Sequence, residues 1–308
     1  VAGLVHRFKP WATAYFVKDG RQTSELSIYK TACTALVRLY GPLPADDFRP
    51  SHLVAIRQSL VDRGLSRKGC NRYAAKVVRV FAWGVGVDLV HPDTPARLKE
   101  VAPLAAGRTK APDPLPVTGV DPGEVERTLP HLHPDPARCA VLEAMIRLLL
   151  CSGMRPGELC ALLPEHVDRS ATPWRYEVGR ANKMLHRGKS RVVWIGKRGR
   201  AILGPFLDAA APGRRVFGWP FRSGKSGRWT GITRTELARF VRKACKAGGV
   251  PHWHPNRIRH THATEIHDRY ESDAAVAAAL GNSPEVARQV YVDDPETRVA
   301  KRIAEELG

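Results

Sequence analysis

Two stretches in the last quarter of the chain decide the fold: WHPNRIRHTHATEI at residues 253–266 and AALGNSPEVARQVYVDD at residues 278–294. The first carries Arg259 on a helix whose start we predict just before it. The second places Tyr291 nine residues after Asn282 and 32 residues after Arg259. Taken alone, each has an ordinary explanation, because a polar helix face is common and a lone tyrosine is usually part of a core. Their meaning depends on what precedes them in the chain.

Two further patterns lie upstream, in the same half of the chain. CSGMRPGELCAL begins at residue 151 and places Arg155 at the start of a predicted helix, with Glu158 one turn later. ANKMLHRGKSRVVWIG begins at residue 181 and carries Lys183 and Lys189 on a basic turn between two predicted strands. The first could be an i,i+3 ion pair and the second a solvated turn. One such pattern arises easily by chance. Four patterns in one order along the chain do not, so these separate explanations are insufficient.

The charge balance indicates a polyanionic partner. The 308 residues include 49 Lys and Arg against 30 Asp and Glu, which gives a net charge of +19 and a pI near 10.1. Such an excess is typical of proteins that bind nucleic acid or an acidic membrane surface. The basic residues are spread along the chain, which favours a folded surface that follows phosphates over a basic tail. The alternative is a soluble cationic protein without a polyanionic ligand.

The cysteines and the apolar segments indicate a cytoplasmic location. None of the six cysteines forms a C-x-x-C pair, so we predict buried free thiols in a reducing compartment. No segment approaches the roughly 18 apolar residues that cross a membrane, and no signal peptide is visible at the start of the chain. We therefore expect no membrane partner.

A proline-rich stretch over 107–119 divides the chain and predicts a linker. Before it, apolar periodicity predicts a helical domain over 26–106, whereas 1–25 gives only a weak signal for a strand or hairpin. The predicted helices span 27–40, 50–63, 71–90 and 95–101. Basic side chains on them are candidates for gripping DNA: Arg57, Arg67, Lys68, Arg72 and Lys76. A generic helical bundle with a solvated basic face explains this segment equally well.

After the linker, the pattern over 120–308 is a mixture of helices and strands. Strands are predicted over 174–178 and 191–195. Helices are predicted over 123–129, 136–151, 155–163, 200–209, 234–247, 255–270, 272–280, 284–291 and 297–306. Ser283 before Pro284 is a plausible helix cap. The fold class that follows is mainly α with a small antiparallel sheet.

Together the four patterns resemble the tyrosine recombinase, or phage integrase, family. Residues 152–159 match the family's T-G-x-R-x-x-E-L motif, and residues 256–261 match H-x-L-R-H-T. Residues 280–282 match L-G-H, which the family follows nine residues later with its tyrosine. Phrases such as HRGKSRVV further resemble integrases of planctomycete-type bacterial genomes. The resemblance covers nearly the whole chain and implies a helical, SAM-like core-binding domain followed by a mixed α+β catalytic domain.

The resemblance implies a mechanism and a role for each matched residue. Tyr291 would attack the scissile phosphate of DNA and form a 3′-phosphotyrosine, with no metal, ATP or other cofactor. Arg155 and Arg259 would clamp the phosphate oxygens, because two guanidinium groups can supply the charge that a metal would otherwise provide. Lys183 would protonate the departing 5′-oxygen, with Lys189 as the reserve; Lys189 is also a candidate for binding DNA.

Two positions depart from the family pattern. Asn256 stands where the family has histidine, and Asn282 where it has histidine or tryptophan. Asparagine can bind a phosphate oxygen but cannot accept a proton at neutral pH. Three explanations remain open for how tyrosine ionises: the arginine clamp lowers its pKa, His254 or His260 acts as the base, or the enzyme is slow or inactive.

The resemblance also implies partners and leaves rival functions open. Family members close two domains as a C-shaped clamp on double-stranded DNA and act as four protomers on two specific sites. They often pass a C-terminal helix to a neighbour; the helix over 297–306 is a candidate for it, or else caps its own domain. The rivals are a DNA-binding or architectural relic that has lost catalysis, and a type IB topoisomerase that relaxes supercoils.

Overall fold

A computed structural model describes residues 1–18, 20–179, 191–220, 229–283 and 285–287. Within the chain two compact units form, Val1–Leu115 and Pro116–Gly308, and the division between them falls inside the proline-rich stretch 107–119. Lys183, Lys189 and Tyr291 lie outside the described residues, as does the helix predicted over 297–306.

The first unit is a helical bundle built around one central helix. Its helices are α1 (Ala2–Tyr15), α2 (Ser24–Tyr40), α3 (Pro50–Asp62), α4 (Arg67–Val85) and α5 (Asp93–Lys99). Helix α4 packs against the other four. A short antiparallel hairpin, β1 (Val17–Lys18) and β2 (Arg21–Gln22), follows α1. Buried residues of every helix form its core, including Phe8, Leu36, Ile56, Phe81 and Leu98.

The start of the chain differs from the sequence prediction. We expected a weak strand or hairpin over 1–25, and the structure has helix α1 before the hairpin. Leu4, Val5, Phe8 and Ala12 are buried at helical spacing, but Pro10 inside the helix interrupts the pattern that predicts one. The burial of this apolar face against α2 and α4 outweighs the backbone hydrogen bond that the proline removes.

Helix α4 is shifted toward the N-terminus relative to the predicted span 71–90. Ser66 caps it, since its hydroxyl oxygen accepts a 3.2 Å hydrogen bond from the backbone N–H of Gly69. It ends at Val85, ahead of Gly86 and of Asp88, whose φ of 57° is not helical. The apolar periodicity continues past this point, but the backbone has already turned.

The second unit combines seven described helices with small antiparallel sheets, so the predicted fold class is confirmed. Its helices are α6 (Pro122–Thr128), α7 (Pro136–Ser152), α8 (Pro156–Cys160), α9 (Lys197–Asp208), α10 (Arg234–Ala247), α11 (Arg257–Tyr270) and α12 (Asp273–Leu280). Strands β3 (Val167–Asp168), β4 (Trp174–Glu177) and β5 (Val192–Ile195) form a sheet in that order, and β6 (Gly218–Pro220) pairs with β7 (Trp229–Gly231). Two 3₁₀ turns lie at Leu129–His131 and Pro164–His166.

Three helix predictions need correction in this unit. The helix predicted over 155–163 ends at Cys160, because Pro164 and the 3₁₀ turn redirect the chain toward β3. Helix α9 begins three residues earlier than predicted, and α11 begins two residues later. Strands β3, β6 and β7 have two or three residues each, too few for an alternating pattern to be recognised.

Helix α7 is the buried centre of the second unit. Asp135 caps its start by accepting from the N–H groups of Ala137 and Arg138, and it ends at Gly153 in the left-handed region. The helix packs against α8, α9, α11 and β5. The end of α7, the start of α8 and the first turn of α11 are thereby brought together, and α12 packs on α11 and β5.

The thiols are free, as predicted, but Cys139 and Cys151 are only half-buried where burial was expected. All six cysteines are free, and four of them are buried: Cys33, Cys70, Cys160 and Cys245. Burial raises the pKa of the Cys33 thiol to about 11, against a smaller opposing effect of the Lys9 charge, so the thiol is protonated and unreactive at neutral pH. No described helix is both long and apolar enough to cross a membrane.

Candidate active site

A tight turn between α7 and α8 presents Arg155. Gly153 has a φ of 58°, and a Cβ there would overlap the side chains of His262 and Leu280, so only glycine fits. Arg155 directly precedes α8, and its Nη1 donates a 2.7 Å hydrogen bond to Oε1 of Glu158. Its backbone N–H donates at 2.8 Å to the other carboxylate oxygen. The i,i+3 pair considered from the sequence therefore exists and fixes the arginine in place.

Glu158 is the buried carboxylate of the site. It is 1% exposed and accepts from Arg155 and from Nε of Arg191 at 2.8 Å. Burial alone would raise its pKa, but the charge of Arg191, the N–H of Arg155 and the charge of Arg155 together hold the pKa below its usual value. The Tyr176 hydroxyl donates at 2.9 Å to the Glu158 carbonyl. The carboxylate is thus ionised and orients two arginines.

Arg259 lies in the first turn of α11 and is 1% exposed. Its Nη1 donates to the Gly153 carbonyl at 2.6 Å, and its Nη2 donates to the Leu280 carbonyl at 2.7 Å. Arg259 therefore ties the turn that carries Arg155 to the end of α12.

The end of α12 is where the three separated motifs meet. The Leu280 carbonyl accepts from both Arg259 and Arg191, and Gly281 ends the helix with a φ of 61°. Asn282 comes next, and its Oδ1 accepts from Nη2 of Arg155 at 2.9 Å. Its Nδ2 is buried and has no hydrogen-bond partner among the residues that the structure describes. The structure thus assembles Arg155, Arg259 and Asn282 of the predicted site.

Asn256 lies just before α11, with an exposed side chain. Its backbone N–H donates to Nδ1 of His254 at 3.2 Å, and its carbonyl accepts from the N–H of Arg259 at 3.2 Å. Partial burial, with the charges of Arg234 and His252, lowers the pKa of His254. Because Nδ1 accepts this hydrogen bond, neutral His254 carries its proton on Nε2, which is therefore a donor and not a base. His260 is 5% exposed.

Arg191 belongs to this site and was missed by the sequence analysis. It is 7% exposed and joins Glu158 to the end of α12. In the sequence it is simply the first residue of the predicted strand 191–195. The available signal was a charged residue at the start of a run of apolar ones, which is unusual for a buried strand. No His, Cys, Asp and Glu group that could hold a metal ion occurs in the described ranges.

The basic residues predicted to grip DNA differ in their availability. Arg67 is paired with Asp113 at 2.8 Å and Lys76 with Glu25, while Nη1 of Arg57 donates to the Ala102 carbonyl. The side chains of Lys68 and Arg72 are exposed. Only the last two present their charge to solvent without one of these intramolecular bonds.

Comparison with known proteins identifies the family. Residues 120–298, more than half of the chain, match the phage integrase family. The chain belongs to this family of tyrosine recombinases. The predicted resemblance is confirmed, and the match covers every motif on which it was based.

Relatives and solved structures agree with this membership. The chain is 28% identical to tyrosine recombinase XerC of Serratia marcescens over 290 residues. The matched region covers 90% of this chain and 86% of the relative. It is 28% identical to XerC of Corynebacterium efficiens over 75% of this chain and 69% of the relative.

Two solved structures share the fold at low sequence identity. A lambda integrase dimer bound to a COC′ core site has a TM-score of 0.69 at 15% identity, covering 96% of this chain and 78% of that one. XerH recombinase bound to a palindromic difH substrate has a TM-score of 0.68 at 15% identity, covering 98% and 94%. At these identities the likeness establishes the tyrosine recombinase fold.

Proposed function

We propose that this chain is a site-specific recombinase that cleaves and rejoins double-stranded DNA through a phosphotyrosine intermediate. One observation carries the proposal: Arg155, Arg259 and Asn282, from three distant motifs, meet at the end of α12. The XerC relatives are tyrosine recombinases, and the XerH structure is a post-cleavage complex with DNA. The same chemistry is our proposal for this chain.

The reaction is an in-line transfer at phosphorus. The Tyr291 oxygen forms a bond to the scissile phosphorus, and the bond from phosphorus to the 5′-oxygen breaks. The phenol proton of Tyr291 passes to water, the 3′-phosphate remains on tyrosine, and Lys183 donates the proton that turns the departing oxygen into a 5′-hydroxyl. A 5′-hydroxyl of the partner strand reverses the step. Since the phosphodiester energy is kept in the tyrosine ester, the reaction consumes no ATP.

The arginines and the two asparagines stabilise the charge that develops on the phosphate. Arg155 keeps part of its guanidinium exposed while Glu158 and Asn282 hold it, so it is preorganised to bind an oxygen. The buried Nδ2 of Asn282 supplies a second donor whose direction is already fixed. Arg259 contributes positive charge from beneath, and the exposed amide of Asn256 a further donor.

The local geometry favours one of the three explanations for tyrosine ionisation. His254 is committed to Asn256 through Nδ1, and His260 is buried in the first turn of α11. We therefore assign activation of Tyr291 to the arginine clamp, whose positive charge lowers the pKa of the phenol from its ordinary value of about 10.

The partner is a specific double-stranded DNA site, and the active form is a tetramer on two sites. Lambda integrase has been solved as a dimer on a core site and as a tetramer on a Holliday junction, which supports the same assembly here. We propose that the unit Val1–Leu115 is the core-binding domain and contacts DNA phosphates through Lys68 and Arg72, joined by Lys189 of the second unit. A DNA partner of this kind also places the protein in the cytoplasm, away from membranes.

A suicide substrate tests the proposal. Candidate sites are to be sought in the DNA that flanks the gene, and a nick beside the scissile phosphate traps the covalent adduct for a denaturing gel. The parent protein should form an adduct and Tyr291→Phe should form none. Tyr270→Phe is the matched control, because Tyr270 is 61% exposed at the end of α11. No adduct with the parent would leave only a DNA-binding relic; an adduct with Tyr291→Phe would refute the nucleophile. Relaxation of a plasmid that lacks the site would instead indicate topoisomerase activity.

A further inference from the structure

Arg191 directly follows residues 180–190, the part of the sequence that contains Lys183, the proposed general acid. Its carbonyl accepts a 2.9 Å hydrogen bond from the N–H of Val178, so these two residues bracket the intervening segment. Its side chain is directed into the protein and is 7% exposed. Arg191 directly precedes β5, and burying its charge costs free energy. Strand formation alone does not explain why a charged side chain is buried here.

The side chain bonds two different elements at once. Nε donates at 2.8 Å to Glu158 of α8, and Nη1 donates to the Leu280 carbonyl at the end of α12. A Cβ on Gly281 would overlap Nη1 of Arg191, so the chain passes as close to the guanidinium as glycine permits. Because the guanidinium is planar and rigid, it fixes the separation of these two elements.

Helix α12 packs on α11 and β5, and among the described residues its polar contacts lie at its two ends: Asp273 is 3.7 Å from His267 of α11, and the Leu280 carbonyl accepts from Arg191 and Arg259. It is an eight-residue helix, and its apolar contacts come from a small cluster rich in alanine: Ala263, Ile266, Val276, Ala277, Leu280 and Ala287. Apolar burial gives little directional restraint, whereas hydrogen bonds do. The end of α12 is therefore placed by the bonds of its Leu280 carbonyl to Arg191 and Arg259, together with the bond from Arg155 to Asn282.

We propose that Arg191 is a positioning residue for the nucleophile. It holds the end of α12 against Glu158, and thereby sets the point from which the chain runs on to Tyr291. The inference rests on the proposed function. It assigns Arg191 no contact with the phosphate; its action passes through Leu280 and Gly281. A misplacement of about 1 Å at a reacting group costs on the order of 10²-fold in rate.

Arg191→Lys tests this, because it keeps the charge beside Glu158 while one ammonium cannot reproduce both bonds. Arg175→Lys is the matched control, since Arg175 lies on β4 of the same sheet and pairs with Glu177 at its surface. Single-turnover cleavage of the suicide substrate yields a rate and an amplitude. We expect Arg191→Lys to be slower by about 10²-fold with unchanged amplitude and DNA affinity. If Arg191→Lys reacted at the parental rate, the proposal would be overturned. A reduced amplitude at the parental rate would also overturn it, because a smaller folded fraction would then explain the loss.

A substrate with sulfur in place of the bridging 5′-oxygen identifies which group Arg191 positions. A thiolate leaves without a proton, so this substrate bypasses the general acid. Misplacement of the tyrosine should slow both substrates equally. If Arg191→Lys cleaved the sulfur substrate as fast as the parent protein does, Arg191 would act through Lys183. The proposal would then be wrong.

Gly281→Ala approaches the same contact from the other side. The added methyl group would overlap Nη1 of Arg191 and so displace this nitrogen from the Leu280 carbonyl. The arginine residue itself is not replaced. We expect a comparable fall in rate, and a double variant with Arg191→Lys no slower than the slower single variant. Multiplied losses would show independent effects and contradict the proposal. A parent that forms no Tyr291 adduct refutes the proposed function; a parent with an adduct but an unaffected Arg191→Lys refutes only this inference.

Discussion

Nη2 of Arg155 donates a 2.9 Å hydrogen bond to Oδ1 of Asn282, across 127 residues of sequence. A guanidinium group has only donors, so the amide oxygen must face Arg155 and the amide nitrogen must face away from it. That nitrogen is buried and has no hydrogen-bond partner in the described part of the chain. Asparagine thus offers a directed N–H at the position where the family has histidine or tryptophan, each of which can also donate.

Asn282→Asp should remove this donor and keep the bond to Arg155. A carboxylate would also repel the phosphate, so we expect single-turnover cleavage to fall by about 10²–10³-fold. Asn282→His restores a donor and should stay within roughly tenfold of the parent by the same reasoning. Rates are measured on the suicide substrate, with DNA affinity determined separately. An equal loss in both variants would contradict the donor role.

Lys183→Ala should lose activity in a way that depends on the leaving group. With the natural 5′-oxygen we expect a loss of about 10²–10⁴-fold, because general-acid catalysis is absent. With a bridging 5′-sulfur the variant should cleave at nearly the parental rate. Lys189→Ala serves as the comparison and should lose activity modestly and equally on both substrates. Rescue of Lys189→Ala by sulfur, without rescue of Lys183→Ala, would exchange their roles.

Glu158 should make the stability of the second unit depend on pH. Its pKa is lowered in the folded state, so its contribution is present above the ordinary value of 4.5 and is lost as the pH falls through the folded pKa. Glu158→Gln should lower the free energy of unfolding by about 3 kcal/mol at pH 7. The difference from the parent should shrink below pH 4.5. Urea titrations over a series of pH values measure it, with the exposed Glu177→Gln as control; a difference that did not shrink as the pH fell below 4.5 would contradict the assignment.

Lys68 and Arg72 should determine how DNA binding responds to salt. Each phosphate contact contributes about 0.9 to the slope of log affinity against log salt concentration. Lys68→Ala with Arg72→Ala should therefore flatten the slope by roughly two contacts. Lys76→Ala is the matched control, because Lys76 is already paired with Glu25 and should change the slope little. Fluorescence anisotropy over a range of NaCl concentrations distinguishes these outcomes, and an equal effect of all three would refute the assignment.

The helices whose borders carry a local chemical signal were the ones that could be predicted from sequence. Helix α10 was predicted residue for residue, because Thr233 caps it and glycine follows it. Helix α1 was not, because Pro10 masked a buried apolar face. Within the site, Arg155, Arg259 and Asn282 were predicted from the resemblance of their motifs, in order and spacing, to those of the family. Arg191 was not, because its only local signal was a charge at the start of an apolar run, and its bonds to Glu158 and Leu280 depend on tertiary packing between β5, α8 and α12.

The thin apolar cluster beneath α12 has a consequence for dynamics. With alanine as half of its side chains, the cluster gives a small free energy of burial, so the polar contacts at the two ends of α12 carry a large share of its attachment. We expect this helix to open by local unfolding at a free energy well below that of α7. Native-state hydrogen exchange would show its amides exchanging first among the helices of the second unit. Opening of α12 would separate Leu280 from Arg191 and Arg259, while these two arginines keep their places beside β5 and on α11.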